Sequence, residues 1–227
     1  MRRKLCSIGI SGLLILVLAT GISWAITIDL VGVTYPDLRA QVDLYYTPNN
    51  SSSGTVDVWI TNLSILTAAV APDPRLTGFA FNLPGNVTAL ADTDFAPAYP
   101  GVWSWAFHID HINSPGPYGM FDVAALTGPN LNGGDPNSGL PVDPALPLAS
   151  RFSFTFNGTG MDTLSDLSFL SGDPTFIARF QRVGPDGPNQ GSDLAIPGTS
   201  SVPEPGTLLL LGVGLVGIAG IGRKKRV

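Results

Sequence analysis

Cysteine is almost absent: of 227 residues, only Cys6 carries a thiol. A disulfide framework within the chain is therefore excluded, and so is thiol catalysis in the body of the protein. Lysine is missing from residues 26–202, and glutamate occurs once, at Glu204. There is no G-x-S-x-G elbow and no H-E-x-x-H helix, the motifs of a hydrolase nucleophile and of a zinc protease. Helical periodicity is nearly absent between the two ends. With no disulfide, stability has to come from a packed core, and about 175 residues are ample for one.

The charge that is present is segregated. Residues 26–202 hold Arg39, Arg75, Arg151, Arg179 and Arg182 against sixteen aspartates, a net charge of −11. The whole-chain value of −5 hides this, because Arg2, Arg3 and Lys4 stand at one end and Arg223, Lys224, Lys225 and Arg226 at the other. An acidic body repels phosphate backbones, so nucleic acid is not an expected partner.

The ends read as targeting segments. Arg2-Arg3-Lys4, the apolar run Leu5 to Ile22 and the small residues Ser23 and Ala25 have the order of a secretory signal peptide over 1–25, cut by signal peptidase after Ala25. At the other end, Val202-Pro203-Glu204-Pro205 is stiff and non-helical, since each proline fixes its own φ and restricts the residue before it. The stretch 207–222 is apolar and uncharged, and a helix of that length spans about 24 Å, a marginal transmembrane helix. Arg223, Lys224, Lys225 and Arg226 form a basic stop that stays cytoplasmic, which places the body outside.

These three parts, in this order, resemble the PEP-CTERM sorting tail of Gram-negative bacteria. The resemblance covers residues 202–227. It implies processing near Pro203-Glu204-Pro205 by a membrane-embedded protease, an exosortase. It also implies transient anchoring in the inner membrane and a final place at the cell surface or in the extracellular matrix, where exopolysaccharide is a candidate partner.

Between the ends, period-2 alternation dominates. Val56, Val58 and Ile60 share a face, as do Trp103, Trp105, Phe107 and Ile109, and as do Phe152, Phe154 and Phe156. A strand is also expected over 175–181, and others near 27–35, 40–47, 77–82, 118–124 and 166–170. Strands with one apolar face and frequent Gly/Pro turns predict an all-β domain over 26–183, an antiparallel β-sandwich with jelly-roll connections as one option. Residues 128–147 read as a long loop, and long ordered loops tend to be functional. Residues 184–201 read as a flexible tether to the sorting tail.

Candidate sites are few. His108, Asp110 and His111 hold metal-ligating groups, but on a regular strand His111 faces away from the other two. Asn130, Asn132 and Asp135 offer closely spaced hard oxygens, which makes calcium the one candidate cofactor. Asp and Asn also favour turns for purely local reasons. Trp59 lies opposite Val58 and Ile60 and is the candidate binding platform, since a flat ring stacks on sugars. The expected function is a non-enzymatic exported protein with a structural or adhesive role in exopolysaccharide or biofilm. A carbohydrate-binding module and a secreted hydrolase using an Asp pair stand as alternatives.

Overall fold

The computed structural model describes residues 25–68, 70, 73–98, 101–142, 148–170, 172–184 and 191–198. The expected signal peptide, the motif Val202 to Pro205, the helix over 207–222 and the basic stop lie outside them. Among the described residues no helix is long and apolar enough to cross a membrane.

The chain is all-β. Strands β1 (Ile26–Gly32), β2 (Arg39–Asn50), β3 (Ser53–Asn62), β4 (Arg75–Phe81) and β5 (Val87–Ala96) are followed by β6 (Ser104–Asn113), β7 (Met120–Leu126), β8 (Ser150–Gly158), β9 (Phe176–Gln181) and β10 (Ser192–Pro197). They form one sheet in the order β5-β8-β3-β2-β1-β10-β9-β4-β7-β6, and every pairing is antiparallel.

The alternation places the core as expected. Val56, Val58 and Ile60 on β3 and Phe152, Phe154 and Phe156 on β8 are fully buried. The sheet curls over so that β4, eighth in order, lies against β8, second in order. Phe79 packs edge-on to Phe152 at 5.0 Å, and Phe81 packs edge-on to Phe154 at 5.7 Å. Edge-to-face geometry suits the ring quadrupole. The end strand β6 also folds over toward β8, next to the other end: Trp103, just before β6, lies 4.7 Å from Phe152, and Phe107 of β6 lies 6.2 Å from Phe156. The sheet is thus nearly closed.

Three expectations change here. The two separate sheets of a sandwich or jelly roll are instead one. The strand that joins them is β10, which pairs with β1 on one side and β9 on the other. It comes from the stretch expected to be a tether, so over Ser192–Pro197 that reading gives way to a strand in the middle of the sheet. Its acidic residue explains the position: the Asp193 carboxylate accepts the backbone N–H groups of Thr34 and Tyr35, each at 2.9 Å. The strand expected near 166–170 is a 3-10 turn, Asp166–Phe169. Ser165 and Ser168 cap it reciprocally, and Asp166 accepts the N–H of Tyr46. Finally, β5 had no counterpart among the expected strands.

Candidate functional site

The long loop after β7 is held tightly over its described part. Leu131 and Leu140 are buried, and Leu140 bridges to Leu76 of β4. The Asn130 side-chain oxygen accepts the N–H of Asn132 at 2.8 Å. Asp135 accepts the N–H of Asn137 and the hydroxyl of Ser138, both at 2.9 Å. The Asn137 N–H first, and Ser138 with it, holds the Asp135 carboxyl below its ordinary pKa. These oxygens serve the turns of their own loop, and among the described residues no group of three His, Cys, Asp or Glu is placed to hold a metal.

His108 and His111 are not on opposite faces. The β6–β7 register runs Phe107 to Val123 and resumes at Ile112 to Phe121, so residues 108–111 bulge out opposite Asp122. Asp110 takes a left-handed φ of 52°. The buried Asp122 carboxylate supports the bulge by accepting the N–H of Asp110 and that of Leu83, each at 2.7 Å. The two imidazole rings end up 4.4 Å apart on the surface. The expected grouping of Trp103 with Trp105 breaks along the same strand. Trp103 is half-buried on Phe152, whereas Trp105 is 54% exposed. An edge strand has a covering neighbour on only one side.

Trp59 is where the alternation puts it. It stands 38% exposed on the outer face of β3, between Asp43 of β2 and Arg151 of β8. Tyr45, 37% exposed, is its diagonal neighbour on β2, because it pairs with Asp57. Polar groups around the rings are fixed by one another. Arg151 Nε donates to Asp57 at 3.0 Å and Arg151 Nη1 donates to Asp94 at 3.1 Å. Thr27 donates its hydroxyl to Asp43 at 2.6 Å. Half-exposed ion pairs of this kind add little stability. Their effect is to tie a guanidinium to two carboxylates beside the indole. Two rings set among fixed hydrogen-bonding groups can stack on one face of a ligand and bond to its edge. Trp59 was legible from alternation alone. Arg151, Asp57 and Asp94 were not, since strands far apart in sequence bring them together.

A second surface went unnoticed in the sequence. A cleft of about 260 Å³ where β9 ends and β10 begins is lined by Pro136, Arg179, Gln181, Arg182, Gly191 and Ser192. Arg182 Nη1 donates to Asp73 at 3.1 Å and its Nη2 to Asn137 at 2.6 Å. Arg179 Nη2 donates to Ser192 Oγ at 2.7 Å.

Residues 201–226 match the PEP-CTERM protein-sorting motif. The match covers the C-terminal tail and includes Val202, Pro203, Glu204 and Pro205. No curated protein and no solved structure matches the chain. The motif implies export and sorting by an exosortase-type enzyme.

Proposed function

We propose that this chain is a non-enzymatic protein of the cell surface or extracellular matrix of a Gram-negative bacterium, with a structural or adhesive role, and that it contacts extracellular polysaccharide through the outer face around Trp59. Signal peptidase, then an exosortase-type enzyme, deliver it there. The observation that supports the role is an exposed Trp59 beside Tyr45 on the polar outer face of the sheet, in a chain that carries a sorting motif. Stacking on a ring selects for the apolar face of a sugar. The fixed Asp57, Asp94 and Arg151 supply hydrogen bonds to its hydroxyls.

Retention of the exported protein on exopolysaccharide from the producing cell tests this. Trp59→Ala is expected to weaken retention at least about tenfold, equivalent to about 1.4 kcal/mol. Its fold is expected to persist, because the indole is on the outer face and surface substitutions change stability little. Unchanged retention in that variant contradicts the reading.

A further inference from the structure

The cleft between the ends of β9 and β10 gathers two of the five arginines in a body of net charge −11. Of the described arginines there, Arg182 is already committed to Asp73 and Asn137. Arg179 bonds only to a neutral hydroxyl, that of Ser192, and makes no ion pair among the described residues. The Nε atoms of both arginines are buried and have no acceptor among the described residues. Buried N–H groups are nearly always paired, so two such guanidinium groups lining one cleft mark a place where an acceptor is wanted.

The backbone is shaped to make this cleft. Arg182 holds a left-handed φ of 60°. A non-glycine residue is strained in that region, and such strain persists where the surroundings fix it. Here it turns the side chain back so that it stands beside Arg179. Without the turn, two residues three apart on a strand point to opposite faces. Burial lowers the Arg179 pKa from its ordinary value, and Asp193 opposes the shift only in part. The charged form is therefore only partly compensated by its described neighbours.

We propose that this cleft binds the carboxylate of an acidic sugar, a uronate unit of an extracellular polysaccharide. A planar guanidinium presents two parallel N–H donors that match a carboxylate. Gln181 and Ser192 offer neutral partners for hydroxyls at the rim. The volume is near the lower limit of small-ligand sites, about 300 Å³, which suits a single sugar unit. Sixteen aspartates in the body repel a densely charged phosphate chain, but a lone carboxylate on an otherwise neutral ring arrives with one charge. The placement fits as well. The cleft is at the Ser192 end of β10, and the chain leaves for the sorting tail at the other end, where Gly198 donates its N–H to Asp29 at 2.9 Å. Six strand residues set these ends about 20 Å apart. The cleft and the exit toward the tail are thus at opposite ends of β10.

This inference rests on the reading of the chain as a polysaccharide-contacting surface protein. Calorimetry on the purified exported protein with glucuronate, glucose, acetate and inorganic phosphate as probes tests it. Glucuronate is expected to bind with one equivalent, at least tenfold tighter than glucose or either simple anion. Arg179→Gln is expected to abolish that preference, while Arg179→Lys keeps a weakened form of it. Both variants should retain the wild-type unfolding midpoint. Acetate or phosphate binding as tightly as glucuronate, equal binding by the Gln variant, or no heat at millimolar glucuronate each overturns the cleft as a uronate site. Whole-polysaccharide retention through Trp59 is read separately, so it can stand while the cleft falls.

Discussion

Replacing Phe154 with alanine is expected to cost about 3–5 kcal/mol, the usual range for a large aromatic removed from a core. The ring is fully buried and meets Phe79 at 6.4 Å, Phe81 at 5.7 Å, Phe95 at 5.2 Å and Phe156 at 6.1 Å. These partners come from two other strands, β4 and β5, as well as its own, so they cannot all move to fill the space. A domain of ordinary size is stable by only about 5–15 kcal/mol, so the loss is a large share of the total. With no disulfide available to limit unfolding, nothing covalent offsets it. Denaturant titration of the exported protein measures the difference. Thr155 sits one residue along, on the outer face, where its hydroxyl meets that of Thr55 at 3.1 Å. Thr155→Ala is expected to cost about 1 kcal/mol, the net worth of one hydrogen bond. Equal losses at the two positions would contradict the assignment of faces.

The second large effect concerns β10. A chain ending at Gly191 is expected to lose cooperative unfolding, whereas one ending at Gly198 is expected to keep it. Removing β10 leaves β1 and β9 with open edges. It strips Thr34 and Tyr35 of the Asp193 carboxylate, and it empties the core positions of Leu194 and Ala195. Open edges are templates for pairing with other chains, so the shorter protein is also expected to aggregate. If the chain ending at Gly191 unfolds at the wild-type midpoint, residues 192–197 are a tether after all.

The contrast between these two strands shows what local pattern can reveal. Phe152, Phe154 and Phe156 alternate strictly with polar residues, and a buried sheet face is the direct physical consequence. β10 has no such signal. Its six residues follow a Gly/Pro-rich segment, and its place is set by partners more than 150 positions earlier, Thr34 and Tyr35. β5 escaped for a different reason. Register shifts at Val87/Ala89 and Leu90/Asp92 break its period, so no run of alternation survives to be read. Asp166 and Ser165 show local chemistry overriding an apolar run, because a capped turn satisfied by Tyr46 competes with a strand.

The sites divide in the same way. Trp59 follows from parity along one strand. The pairing of His108 with His111 needs a bulge that depends on the buried Asp122 carboxylate, a residue on another strand. The Arg179–Arg182 cleft needs a left-handed residue and a hairpin whose far strand was not expected to exist. Two arginines three apart near a strand end were the only trace of it in the sequence.

The central claim is that an acidic all-β body, complete through β10, is exported and then separated from its sorting tail. The intact mass of the protein recovered from the cell surface or medium measures this most directly. The account predicts an N-terminus at Ile26 and a C-terminus near Pro203 to Pro205, with β10 retained and residues 207–227 gone. A recovered protein that still ends at Val227 would contradict it.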